Sequence, residues 1–454
     1  MSDYIKEKND FNGVDENSNR DDALNRINDD INTIDLFDRR SFLKKSASIT
    51  IGAGAAFGSS LISNSLFSTS FTTSSAYASN NNEQELKIGY IPITDATPLL
   101  IAYSLGFFKE EGLIVPKPVM VRSWTVLSES FIGGQFNFTH LMFPIPIWMR
   151  FKQKIPVKVL AWDHTNGSAL TVRGDSNIRG FGDLGGRQIA VPSWYSTHNY
   201  MVQMGIMAKG LKPVIKPQGA VIAPDEVNLF VLPPPEMPPA LLGKKMDGFI
   251  VAEPFNALAE MKIKGRIMRF TGDIWKNHPC CVVVSHENFI KTQPAMIQKA
   301  INAVVRAQLW CTKNPEKAAN ILSRDKGDGY LPVNEDVLLR VFTKYDLKDY
   351  LEGEPPRPII HPEWNIGRIG FQPYPYPSAT KFIINQMAKT KVEGDSKFLK
   401  DIAIDPNLAI AELVDDTFVK KAMKNMSVYG TFDSNNKDVV DPNIFSREEV
   451  IEIG

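Results

Sequence analysis

The chain has 454 residues, of which 43% are hydrophobic and 22% charged, and its 51 Lys and Arg balance its 51 Asp and Glu. That length suits about two domains and a tail, the composition supplies ordinary globular cores, and charge neutrality excludes the basic excess of a nucleic-acid binder. The three cysteines, Cys280, Cys281 and Cys311, exclude a disulfide-built scaffold and leave room for a single bridge.

Residues 1–37 are rich in Asp, Asn, Glu and Lys. They offer too little apolar surface to offset ordering entropy, so the sequence predicts disorder there. Asp38-Arg39-Arg40-Ser41-Phe42-Leu43-Lys44 follows, then a modestly apolar run over 49–66 broken by glycines and serines, then Ala76-Tyr77-Ala78. Charge, apolar run and small-residue site in that order read as a secretory signal. The paired arginines resemble the twin-arginine signal. A membrane anchor is the competing reading, but about 20 apolar residues are needed to span a bilayer, and this run is weakly apolar. Residues 1–78 are therefore expected to be a disordered region plus a twin-arginine signal peptide.

The body opens with alternation over 86–91, as a strand requires. Thr94-Asp95-Ala96-Thr97-Pro98 is a helix start, with a helix expected over 99–108. An apolar stretch over 156–172 carries a polar break at 163–168. Residues 187–192 read as a short strand, Ser196-Thr197-His198 as a cap-rich turn, and the following helix ends near Gly210. Strands over 227–232 and 246–252 alternate with helices over 238–242 and after Pro254, and helices are expected over 294–310 and 315–322. Alternation of this kind predicts an α/β fold with largely parallel sheets. Helix starts that follow strands expose backbone N–H groups and suit anions. Three turns qualify: 94–97, 196–198 and 252–256.

Several blocks taken in order resemble the nitrate/sulfonate/bicarbonate (NitT/TauT-type) family of ABC-transporter periplasmic substrate-binding proteins. They include Gly89 to Pro98, Gly106-Phe107-Phe108, Ser123-Trp124, Thr165-Asn166-Gly167 and Thr197-His198. Asp247-Gly248-Phe249, Glu253-Pro254-Phe255-Asn256 and Asn277-His278-Pro279 continue the series. The resemblance implies the two-lobed periplasmic-binding-protein fold (type II), each lobe a mainly parallel sheet with flanking helices and the ligand clamped between them. Lobe I would take 86–173 and 285–390, lobe II 174–284, and 391–454 would be a C-terminal helical extension. It implies an extracytoplasmic solute-binding component of an ABC importer, no enzyme, with permease and ATPase subunits and the twin-arginine export machinery as partners. No cofactor and no metal are expected.

The nitrate-binding branch contacts its anion through a tryptophan matching Trp124 and a histidine matching His198. It uses a glutamine where this chain has Ser168, a backbone position next to Glu253, and a lysine after the His-Pro pair where this chain has Cys281. With the helix-start turns, the candidate ligand-binding set is Thr94, Asp95, Trp124, Ser168, Thr197, His198, Ala252, Glu253 and Cys281. The exchange of lysine for Cys281 removes a charge-assisted contact, roughly twice as strong as a neutral one. The ligand therefore stays open among a small oxyanion, an organosulfonate and a neutral pyrimidine-type vitamin precursor. Glu253 has a second reading as the cap of its own helix. His278, Cys280, Cys281 and His286 lie close in sequence, but adjacent cysteines lack the usual C-x₂₋₄-C spacing of zinc sites. Packed thiols or a vicinal disulfide are expected there rather than a metal or redox centre. The G-x-S-x-G, H-E-x-x-H, Walker and G-x-G-x-x-G patterns are all missing from the sequence.

Overall fold

The computed structural model describes residues 85–217, 219–343, 348–351, 357–426 and 444–454. The twin-arginine segment and the expected disordered region lie outside the described residues. Among the described residues, no helix is long and apolar enough to cross a membrane.

Two sheets organise the fold. The first has five strands in the order β2-β1-β3-β12-β4: β1 (Ile88–Tyr90), β2 (Val119–Met120), β3 (Phe138–Met142), β4 (Val157–Trp162) and β12 (Cys281–His286). The second has six, in the order β11-β6-β10-β7-β9-β8: β6 (Ser168–Arg173), β7 (Arg187–Val191), β8 (Lys212–Val214), β9 (Glu226–Val231), β10 (Gly248–Ala252) and β11 (Gly265–Phe270). A short ribbon pairs β5 (Thr165–Asn166) with β13 (Ile369–Gly370). Strands β3 and β10 are buried at every residue. Such continuous burial is what sheets covered by helices on both faces require.

The parallel pairs are β1 with β2 and β3, β7 with β9 and β10, and β8 with β9. Within the two large sheets, the antiparallel pairs all involve β12 or β6. These are the two strands the chain enters as it passes from one sheet to the other, and each joins its new sheet running against its neighbours. Strand β6 belongs to the second sheet, so the first passage falls at 163–167 rather than after 173. The second passage falls at 271–280, and β12 begins at Cys281.

The two passages are hydrogen-bonded to each other. Asn166 N donates to His278 O at 2.9 Å and Asp163 N to Cys281 O at 3.0 Å, and Thr165 bridges to Pro279. Behind them runs the helix Pro294–Lys313, whose buried positions Ile297, Ala300, Ile301, Val304, Gln308 and Cys311 follow the helical period. Its Gln308 Nε2 donates to Trp162 O at 2.9 Å and to Asp163 O at 2.7 Å. Gly167 has a φ of +74°, and a Cβ there would come 3.1 Å from His164 Nδ1. The first passage thus needs a residue without a side chain to make its turn.

The helix expected over 99–108 is Thr97–Ser104. Gly106 (φ +75°) stops it, and Phe107–Glu110 forms a separate turn. The C-terminal part holds the helices Lys397–Ile402, Pro406–Leu413 and Thr417–Asn425. It then returns to the second passage: Trp275 bridges to Ile451, and Trp275 Nε1 donates to Glu449 Oε2 at 2.7 Å. Tyr374 and Tyr376 are buried edge-to-face at 4.9 Å.

Candidate functional site

Four elements converge where the two passages meet. The turn after β1 brings Thr94 and Asp95, the first passage His164, the start of β6 Ser168, and the second passage with β12 brings Cys280 and Cys281. All six are buried. Cys281 Sγ donates to Asp95 Oδ2 at 3.1 Å and Cys280 Sγ lies 3.5 Å from the same oxygen. His164 Nε2 is 2.8 Å from Asp95 Oδ2. Cys280, Cys281 and Cys311 are free thiols.

From Cys280 the cluster extends to Ser168 Oγ at 3.9 Å, and from there to His198 Nε2 at 2.9 Å. His198 stands in the first turn of the helix Thr197–Ala208. Ser196 caps this helix, its Oγ accepting from Asn199 N at 3.0 Å. The cap fixes the helix start and aims its free N–H groups and partial positive charge at the same region. Thr197 Oγ1 and His198 Nδ1 are buried with no partner inside the protein.

The charges in this cluster act on one another. Burial raises the Asp95 carboxyl above its usual value. Burial opposes protonation of His164, yet the Asp95 charge prevails and raises its pKa well above the usual one. Burial would also raise the Cys280 thiol, but the hydrogen bond from Cys281 holds it well below its usual range. Burial and the hydrogen bond to Cys280 push Cys281 in the opposite direction.

The remaining candidates divide. Trp124 begins the helix Trp124–Ile132, capped by Ser123. Its ring meets the His140 ring edge-on at 5.7 Å. Thr94 N and Oγ1 both donate to Glu253 O, at 2.9 and 3.1 Å, and tie the turn after β1 to the end of β10. Ala252 pairs with Ser168 across β10 and β6. The Glu253 carboxylate is engaged on both oxygens. Arg368 Nε donates to Oε1 at 2.6 Å and Ala257 N donates to Oε2 at 3.0 Å. It caps its own helix, Phe255–Ile263, and pairs with an arginine; its side chain does not join the cluster.

His278 and His286, grouped with the cysteines by sequence proximity, are occupied elsewhere. His278 Nε2 pairs with Thr271 Oγ1 at 2.8 Å. His286 Nε2 donates to Phe131 O at 2.7 Å, and its ring stacks on Phe131 at 4.1 Å. The imidazole beside the thiols is instead His164, which lies more than a hundred residues earlier in the chain. The polar break at 163–168, inside an otherwise apolar stretch, was the signal for it. Nothing in the sequence marked Arg368 or His140.

A model of the NMT1-like family matches residues 79–324, more than half of the chain. The chain is 30% identical over 275 residues to the nitrate/nitrite binding protein NrtA of Nostoc sp. (strain PCC 7120). That match takes in 56% of this chain and 60% of the relative, so the chain spans less than two thirds of that protein's length. The crystal structure of the periplasmic nitrate-binding protein NrtA from Synechocystis PCC 6803 superposes with a TM-score of 0.60 at 19% identity, covering 77% of this chain and 91% of that one. The alkanesulfonate-binding protein SsuA from Xanthomonas axonopodis pv. citri, bound to MOPS, gives a TM-score of 0.54 at 13% identity, covering 73% and 98%. These likenesses establish the fold as that of periplasmic binding proteins. The chain belongs to the NMT1-like family.

Proposed function

We propose that this member of the NMT1-like family is the extracytoplasmic substrate-binding component of an ABC-type importer, and that it holds a small oxyanion or organosulfonate between two lobes. Lobe I carries the five-stranded sheet and lobe II the six-stranded one. The observation that carries the reading is the pair of buried, unpartnered groups at one helix start, Thr197 Oγ1 and His198 Nδ1. With Ser168 O–H donating to His198 Nε2, the ring carries its hydrogen on Nδ1 and offers it as a donor. A buried donor without a partner is costly, and an anion at a helix N-terminus satisfies it. Nitrate and alkanesulfonate in the names of similar proteins support this ligand class. A neutral heterocycle has no such support and is not taken up.

In this reading the chain binds and releases its ligand without chemistry. Thr94 and Glu253 O form a latch between the lobes, and hinge closure presents a ligand-loaded shape that a permease and its ATPase can read. Arg39-Arg40 and the apolar run after them direct the folded chain through the twin-arginine export machinery.

The test is a thermal-shift and calorimetric screen of the purified chain against nitrate, nitrite, bicarbonate and alkanesulfonates. A ligand of the folded state raises the melting temperature by mass action. We expect one of these anions to do so and the others to do so less. A flat response to all of them at millimolar concentration overturns the anion reading.

A further inference from the structure

We propose that Asp95, His164, Cys280 and Cys281 form a binding site for one zinc-class metal ion, set where both interlobe passages meet. The Asp95 oxygen, the His164 nitrogen and the two sulfurs all lie within 4.8 Å of one another, and every one of these residues is buried. No second group of this kind occurs among the described residues. Two thiols, an imidazole and a carboxylate are the donor set of a four-coordinate site for a borderline-soft ion, whereas calcium and magnesium take oxygen donors alone. With Zn–S near 2.3 Å and Zn–N and Zn–O near 2.0–2.2 Å, tetrahedral ligands stand about 3.3–3.8 Å apart. The separations here are 2.8 Å from His164 Nε2, 3.1 Å from Cys281 Sγ and 3.5 Å from Cys280 Sγ, each to Asp95 Oδ2. An ion enters with small outward movements of side chains.

The adjacency of the two cysteines does not defeat the site. Along a strand, neighbours point to opposite faces, but only Cys281 is in β12; Cys280 ends the passage before it. That irregular residue turns its sulfur to the same carboxylate. The unloaded cluster is also poorly satisfied. Asp95 Oδ1 and His164 Nδ1 are buried without a hydrogen-bond partner, and such orphans in a native protein call for an explanation. A metal ion takes the lone pairs that no donor in the protein reaches. The ligands come from the turn after β1 and from both passages, so a bound ion cross-links the three segments and stiffens the hinge.

The experiment uses the full chain, reduced and stripped with EDTA, then titrated with Co²⁺ and with Zn²⁺. We expect one Co²⁺ per chain with thiolate charge-transfer bands and a tetrahedral ligand-field spectrum, displaced by one equivalent of Zn²⁺. His164→Gln and Cys281→Ser lose the spectrum, while Cys311→Ser, which alters a buried thiol outside the site, keeps it. X-ray absorption on the unmodified zinc-loaded chain supplies a reading that no variant's folding can confuse, with two sulfurs expected near about 2.3 Å. Substoichiometric binding, a first shell of nitrogen and oxygen alone, or loss of the ion in Cys311→Ser overturns the site. The anion screen on the EDTA-treated chain is scored separately. An anion that binds there while zinc does not leaves the transport reading standing and removes only the metal.

Discussion

Ser168 Oγ and His198 Nε2 lie 2.9 Å apart and join the first residue of β6 to the first turn of the helix Thr197–Ala208. The contact fixes which imidazole nitrogen is left to face a ligand. Replacing His198 by Ala removes that donor and leaves the backbone N–H groups of the helix start in place. A hydrogen bond to a charged partner contributes about 1.5–3 kcal/mol, and every 1.4 kcal/mol is about tenfold in affinity. Anion affinity measured by calorimetry is therefore expected to fall by about one to two orders of magnitude in His198→Ala. Ser168→Ala, which frees the ring to rotate, is expected to cost less.

Arg368 and Glu253 form a fully buried ion pair, with Glu260 as a second carboxylate 2.8 Å from Arg368 Nη1. Burial raises the Glu253 pKa, and the arginine charge acts against that rise. Arg368→Met strands a carboxylate in the interior and is expected to destabilise the chain by about 3–5 kcal/mol. Adding Glu253→Gln to that variant removes the stranded charge. Urea denaturation of both should show the double variant more stable than the single one. If they are equally unstable, lost packing rather than lost charge explains the effect.

The order of strands and helices was legible because periodicity and cap residues are local. The turns at Thr94, Ser196 and Ala252 all stand where helix starts were expected. What the sequence did not disclose depends on the tertiary path. Strand β6 changes sheets although 156–172 looks like one apolar stretch, since the polar residues at 163–167 are the passage itself. The same blindness misgrouped the soft ligands. His278 and His286 are near the cysteines in sequence, whereas His164 is near them in space. Arg368 lies beyond the residues the family model matches, and no local pattern links it to Glu253.

The His140 side chain makes acid sensitivity predictable. Its Nε2 accepts from Ile91 N at 3.2 Å, a bond that needs the neutral ring. Burial, followed by the charge of His164, lowers its pKa to about 3. In the unfolded chain the ring takes a proton near its ordinary value of about 6.5. Between these two values the unfolded state binds the proton and the folded state does not, so stability falls as the pH drops through that window. This contribution is complete above about pH 6.5 and amounts to a few kcal/mol over the whole range. Melting temperatures of the wild type and His140→Gln between pH 7 and pH 4 should converge as the pH falls. A constant gap would mean that the titrating group lies elsewhere.

Gly205 sits within the helix Thr197–Ala208, where alanine is the better helix former by about 1 kcal/mol. Propensity alone therefore favours Gly205→Ala. The packing argues the other way. A Cβ at this position would stand 2.2 Å from the Phe181 ring, and that ring is buried beneath the helix. It has no flexible end to move aside, so either the ring or the helix must shift. Overpacking of this kind costs about 1–3 kcal/mol, more than the gain in propensity. The shift also acts on the helix that carries Thr197 and His198 at its other end. Gly205→Ala is expected to lower the melting temperature and weaken anion binding together. Phe181→Leu in the same background, by making room for the methyl group, should recover part of both. A Gly205→Ala variant more stable than the wild type would show that the ring gives way freely and that the helix start is independent of this contact.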